Sequence, residues 1–306
     1  MPFSLEQAAE RIRAGELVAF PTETVYGLGA NALDAAAVAK IFALKQRPSS
    51  SPLIVHVASI EMARLIAAEW PREAEDLAER YWPGPLTMVL AKSPSIPDLV
   101  TAGLPTVGLR MPNHPVALRL IELAGVPIAA PSANRFSGLS PTTADHVREA
   151  FGDRVPVLDG GPCQVGIEST VISIHGGQLT LLRPGMIAFD HIERAAAPAA
   201  GAHASPGMHP RHYSPKTRLI VVATPEDLPD RHGAYVWRTR SGLTSRCVRL
   251  PRSPEAYAHQ LYRALHQLDQ EGWPWIAVEA VPDSPAWDAI RDRLRRASSP
   301  AGQRVE

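Results

Sequence analysis

Lys45 and Arg47 stand two apart at the head of "KQRPSSSPLIVHV" (45–57), ahead of two prolines that bracket three serines. Cations and hydroxyls on a loop stiffened by proline suit a polyanion. Cations at the end of a helix also suit its dipole, which is the plainer alternative. His56 interrupts the apolar run that follows, a place where a satisfied core histidine is more usual than a ligand-binding one. Four further clusters share this style of small polar groups or a single cation. "PTETVYGLG" (21–29) offers the Thr22 and Thr24 hydroxyls, with Gly27 and Gly29 allowing close approach of the backbone. By itself it also reads as a turn between a strand and a helix. Arg110 closes "TVGLR" (106–110) and needs either a carboxylate-bearing ligand or a structural acid if it is buried. "APSANRFSGLSPTT" (130–143) carries Ser132, Asn134, Ser140 and Thr142, an array suited to phosphate or ribose. Ser169 and Thr170 begin "STVISI", and Arg183 ends "QLTLLR".

Together the groups divide by chemistry. Lys45, Arg47 and Arg183 with nearby hydroxyls suit a triphosphate, whereas Thr24, His56 and Arg110 suit a small amphoteric molecule with a carboxylate. No serine or cysteine nucleophile is paired with a base, and GxxxxGK[ST], GxGxxG, HExxH and GxSxG are all absent. Stabilisation of a transferring phosphorus by Lys and Arg needs no such nucleophile.

These groups need strands to end beneath them, and the hydrophobic pattern supplies them. Leu5, Ala8, Ala9 and Ile12 follow Ser4 at helical spacing, and Ser4 with Gln7 forms a capping box. Strands are expected at 17–20, 53–57, 86–90, 106–110 and 127–130, with helices at about 34–45, 115–124 and 143–151. Later strands are expected at "VPVLDGG" (155–161), 169–174 and 178–185. Alternation early and strands late predict an α/β fold with a twisted, open mixed sheet. Ligands of such sheets gather at strand ends. "AAAPAAGAHA" (195–204) reads as a linker, and beyond it a smaller α/β unit carries strands at 218–223 and 275–281 and helices at about 253–270 and 284–297. The predicted organisation is thus residues 1–194, a linker at 195–217, and a small unit at 218–306.

Composition sets the outer limits. The 306 residues are 45% apolar and 20% charged, and Lys+Arg and Asp+Glu are 31 each, so any anion site must be local. Thirty scattered prolines, roughly twice the usual frequency, predict rigid turns. Two distant cysteines, Cys163 and Cys247, argue against a disulfide frame or a cysteine zinc site. With no signal-like start and no long apolar run, a cytoplasmic protein without membrane contact is expected.

"PTETVYGLG", "KQRPSSSPLIVHV", "WPGPLT", "VGLRMP", "APSAN", "SPT", "GIESTV" and "LLRPG", in that order, resemble the YrdC-like family. The stretch "SPGMHPRHYSP" (205–215) and the second unit are similar to its longer, two-domain members, so the resemblance runs from about residue 5 to 298. It implies a nucleotidyltransferase that joins L-threonine, bicarbonate and ATP into threonylcarbamoyl-adenylate and releases pyrophosphate, with Mg²⁺ escorting the ATP. Its product would feed a tRNA threonylcarbamoyl transferase machinery. The resemblance further implies a threonine site of Thr24, His56, Arg110, Ser132 and Ser169, with Thr106 a weaker member. It implies an ATP site of Lys45, Arg47, Ser51, Asn134, Thr142 and Arg183, closed over by Tyr213, with Lys45 and Arg47 as the catalytic cations. Relatives often carry Asn at the position of Ser51. Two other readings stay open: a double-stranded RNA-binding module, against which the zero net charge counts, and a carbamoyl-transfer domain of the kind embedded in hydrogenase-maturation proteins.

Overall fold

The computed structural model describes residues 3–189, 192–195 and 212–299. The chain begins with α1 (Leu5–Arg13), where Ser4 and Gln7 exchange both hydrogen bonds of the capping box and Ala8, Ala9 and Ile12 are buried. β1 (Val18–Phe20) then pairs antiparallel with β2 (Gly27–Asn31). α2 (Ala35–Lys45) is capped by the Asp34 carboxylate and stops at Gln46, whose left-handed backbone (φ 54°) turns the chain so that Arg47 leaves the helix axis. There follow β3 (Ile54–His56), α3 (Ile60–Ile66), α4 (Arg72–Tyr81), β4 (Leu86–Ala91), α5 (Asp98–Thr101) and β5 (Thr106–Arg110). α6 (Pro115–Ala124), β6 (Ile128–Ala129), α7 (Ala144–Phe151), β7 (Thr170–His175), β8 (Gln178–Arg183) and β9 (Glu193–Arg194) complete the larger unit.

Its strands form one open sheet in the order β1-β2-β6-β3-β5-β4-β7-β8-β9. The β3–β5, β4–β7 and β8–β9 pairs are parallel and the rest antiparallel, so the sheet is mixed, as the pattern predicts. In the small unit, β10 (Arg218–Val222), β11 (Ala234–Trp237), β12 (Arg246–Arg249) and β13 (Trp275–Glu279) form a parallel sheet in the order β10-β13-β11-β12. α8 (Pro254–Glu271) buries Tyr257, Leu261, Leu265 and Leu268 on one face, and α9 (Asp288–Ala297) follows β13. The core of the small unit also takes in Val25, Leu139 and Ile167 of the larger one, so the two pack on a shared apolar surface.

Several elements differ from expectation. β2 was not predicted, because Gly27 and Gly29 lack the branched side chains that signal a strand. Their smallness is what the sheet requires: a Cβ on Gly29 would lie 2.8 Å from both Phe20 and Ile128. "VPVLDGG" makes only an isolated bridge, Ala19 with Val157, and Pro156 contributes a carbonyl but has no N–H to give. The strand expected at 127–130 shortens to the two residues of β6. Of the predicted linker, residues 196–211 lie outside the described residues.

Candidate active site

Strand ends converge on one cavity of about 50 Å³. β3 and β5 are parallel with His56 opposite Arg110, so both side chains come from the carboxyl ends of adjacent strands. Ser132 follows β6 and bridges to Gly27, bringing the β1–β2 loop with Thr22 and Thr24 against them. Ser169 precedes β7 and Arg183 ends β8, its antiparallel neighbour. Arg47 enters from the α2 side, and His212 and Tyr213 from the segment before β10.

The Thr22 hydroxyl folds its own turn: it donates to the Val25 carbonyl at 2.6 Å and accepts from the backbone N–H groups of Thr24 and Val25. With that proton used, the 2.9 Å contact between Thr22 and Thr24 is donated by Thr24. Arg110 is buried, forming an ion pair with Glu23 at 2.7 Å and donating to the Gly84 carbonyl. The acid that partners Arg110 therefore comes from within "PTETVYGLG". Burial, and then the charge of Arg110, pull the His56 pKa down to about 3, so its imidazole is neutral.

The cationic half is anchored by backbone carbonyls. Arg47 donates from Nε to Ser51 O at 3.2 Å and from Nη2 to Pro52 O at 2.9 Å, and its guanidinium lies 5.7 Å from the Phe136 ring centre. Burial lowers its pKa to about 10, which leaves it charged at neutral pH. Arg183 donates to the Ser169 carbonyl and hydroxyl, both at 3.1 Å, and Ser169 also meets Thr87 at 2.8 Å. Burial likewise lowers the Arg183 pKa. Glu168 sits beside Ser169. Burial pushes its carboxyl up, but Arg293, Arg183 and the Ser140 hydroxyl outweigh this and leave it below its ordinary value. Tyr213 is buried with a left-handed backbone (φ 62°), and burial raises its phenol pKa.

Of the residues singled out, Thr24, Arg47, His56, Arg110, Ser132, Ser169, Arg183 and Tyr213 line this cavity. Five others stand apart. Lys45 points beneath the 130–136 loop, donating to Ser132 O at 2.6 Å and to Asn134 O, and burial, then the charge of Arg47, hold its pKa well below the usual lysine value. Ser51 meets Arg47 through its carbonyl rather than its hydroxyl. Asn134 accepts from Ser132 Oγ at 2.5 Å and forms part of a neighbouring cavity of about 450 Å³ that His146, Lys216 and His266 also line. Thr142 meets His146, which stacks on His266 at 3.8 Å. Thr106 is not among the residues lining this cavity: it opens β5 while Arg110 closes it, so the two are ~13 Å apart along the strand, at about 3.3 Å per residue. Thr22 and His212 also line the cavity, and Glu23 and Glu168 support or line it without having been singled out from the sequence. The signal for the two acids was a lone carboxylate inside an otherwise uncharged polar cluster, a counter-charge for a cation far away in sequence.

Among the described residues no group of three or more His, Cys, Asp or Glu could hold a metal ion, and no helix is long and apolar enough to cross a membrane.

Comparison with known proteins gives the family. Residues 10–185 match a family model described as "Telomere recombination", and residues 179–299 match one described as "Threonylcarbamoyl-AMP synthase, C-terminal domain". A threonylcarbamoyl-AMP synthase of Pyrococcus abyssi is 44% identical over 95% of this chain and 93% of its own length. One from Bacillus subtilis is 40% identical over 98% of this chain and 94% of its own. The crystal structure of P. abyssi Sua5 complexed with L-threonine superposes with a TM-score of 0.90 at 43% identity, covering 96% of this chain and 94% of that one. The chain belongs to the threonylcarbamoyl-AMP synthase family, in its two-domain form.

Proposed function

We infer that this protein is an L-threonylcarbamoyladenylate synthase, a nucleotidyltransferase that consumes L-threonine, bicarbonate and ATP and releases pyrophosphate. The observation that carries the reading is a single cavity with two chemical halves. Thr24, His56, Arg110, Ser132 and Ser169 would face threonine, while Arg47 and Arg183 bring positive charge for the ATP phosphates. In this reading threonine is held by its carboxylate and hydroxyl against the first half. Its amine and bicarbonate give a carbamate with loss of water, and a carbamate oxygen attacks the α-phosphorus of ATP as pyrophosphate leaves. Arg47 and Arg183 offset the charge that builds on the phosphates, with donors fixed in advance by the carbonyls of Ser51, Pro52 and Ser169. Neutral His56 fits a site that reads a hydroxyl rather than an anion.

A cavity of about 50 Å³ has room for a few waters, at roughly 10–15 Å³ each on this measure, and not for threonine together with ATP, so His212 and Tyr213, which line it, would move aside for substrates to enter. Closed again, they would keep water from the mixed anhydride of the product. Glu23 and Glu168 are engaged by Arg110 and Arg293, so a magnesium ion arriving with ATP would be held by phosphate and water rather than by these carboxylates. The division of labour proposed is catalysis in residues 1–194, closure by the segment 195–217, and support from 218–306. A tRNA threonylcarbamoyl transferase machinery would consume the product. Exchange of labelled pyrophosphate into ATP tests the reading: it should require both threonine and bicarbonate, and exchange without either would overturn it.

A further inference from the structure

The segment "WPGPLT" (82–87) does not line the cavity, yet it braces the site from behind at two points. The Gly84 carbonyl accepts from Arg110 Nε at 3.3 Å, and the Thr87 hydroxyl meets that of Ser169 at 2.8 Å. Thr87 lies on β4, which runs parallel to β7 with Thr87 opposite Val171, and Ser169 immediately precedes β7. Thr87 and Ser169 are both 0% exposed. The Thr87 methyl turns toward Gly108 of β5, where an added Cβ would lie 3.4 Å from it. A β-branched side chain has few χ1 states, so a methyl held against β5 keeps the hydroxyl on Ser169.

The direction of that hydrogen bond follows from counting protons and lone pairs. Arg183 Nη2 can only donate, and at 3.1 Å it takes one lone pair of the Ser169 oxygen. Ser169 is the one hydrogen-bond partner of the Thr87 hydroxyl among the described residues. If Ser169 donated to Thr87, the Thr87 proton would be a buried donor with no acceptor, which is expensive. Thr87 therefore donates. Arg183 and Thr87 then occupy both lone pairs of Ser169, and its proton is left for the cavity that Ser169 lines.

We propose that Thr87 is a positioning residue that turns the Ser169 proton toward the substrate, so that Ser169 meets its ligand as a donor and not as an acceptor. The inference rests on the synthase reading above, in which the ligand atom is an oxygen of threonine. The ammonium group of threonine, itself a donor, finds no acceptor at Ser169 and is turned away from it.

The test uses the full-length chain with Thr87→Val, Thr87→Ser, Ser169→Ala and the double variant Thr87→Val/Ser169→Ala, measuring threonine affinity by calorimetry and stability by thermal unfolding. Thr87→Val keeps the shape without the hydroxyl and should weaken threonine binding about tenfold, the worth of one well-placed hydrogen bond. Thr87→Ser keeps the hydroxyl and should bind within about twofold of the unsubstituted chain. In the Ser169→Ala background, Thr87→Val should change threonine affinity by less than about twofold, because its effect passes through an oxygen that is gone. A merely structural Thr87 would lower the thermal midpoint and lose the same affinity in both backgrounds. That equal loss would overturn the proposal, as would unchanged threonine affinity in Thr87→Val or a Thr87→Ser variant as weak as the valine one. Should the valine variant not fold, Thr87→Ala in the same two backgrounds decides by the same outcomes. An unsubstituted chain that neither binds threonine nor exchanges pyrophosphate would overturn the synthase reading and this inference with it.

Discussion

Arg47 and Lys45 are both buried cations, yet they face different partners. Arg47 lines the cavity, whereas the Lys45 ammonium is spent on the carbonyls of Ser132 and Asn134. Arg47→Ala is expected to lower kcat by about 10²–10³, as for the loss of one preorganised donor, and to lower the thermal midpoint as well, because the Ser51 and Pro52 carbonyls lose its donors. Lys45→Met should also lower the midpoint, because the Asn134 carbonyl loses its Lys45 donor and Ser132 O keeps only the Asn134 N–H, but should lower kcat by less; kcat and thermal unfolding measured side by side separate the cases. His56 gives a dependence on pH. Its folded pKa of about 3 lies below an unfolded value of roughly 6.5, so the unfolded chain binds the extra proton. Its contribution is complete above about pH 6.5 and is lost as pH falls toward 3, on the order of 2 kcal/mol by pH 5. Urea unfolding at pH 7 and pH 5 should show that difference shrinking by this amount in His56→Gln. His146, lowered to about 3 chiefly by burial, keeps part of the acid sensitivity in that variant.

At the scale of elements, β2 is the piece on which the cavity hangs. It lies between β1 and β6, and the loop entering it carries Thr22, Glu23 and Thr24. Gly29→Ala would place a methyl 2.8 Å from Phe20 and Ile128 and is expected to cost about 1–3 kcal/mol, read as a lower urea midpoint. An unchanged midpoint would show that the sheet relaxes there freely. The strands that carry His56 and Arg110 were legible because apolar runs announce them. β2 and β12 were not: the first is built of small residues, and the second, "RCVR", is flanked by arginines and sits at a sheet edge.

Across the whole molecule, the two units share apolar contacts through Val25, Leu139 and Ile167 as well as the Glu168–Arg293 ion pair. Truncation after Arg194 should leave a larger unit that binds threonine but has lost the cover on those three side chains and the support behind Ser169 and Arg183. Pyrophosphate exchange should fall well below that of the full chain, and its thermal midpoint should drop. Full exchange by the truncated protein would reduce the second unit to a passive attachment.

The order of motifs along the chain was enough to point to the family, the mixed sheet and most of the cavity, since small polar groups and single cations at strand ends are a local signal. Thr24, His56, Arg110, Ser169 and Arg183 were all readable in this way. Pairing was not readable. That Arg110 is matched by Glu23, that Lys45 props a loop instead of lining the cavity, and that Arg293 reaches Glu168 from 125 residues away are outcomes of packing. A buried charge must find its counter-charge wherever the fold brings one, and sequence spacing carries no record of that meeting. Thr106 shows the same limit from the other side: its hydroxyl shares a strand with Arg110 but stands at the opposite end of it.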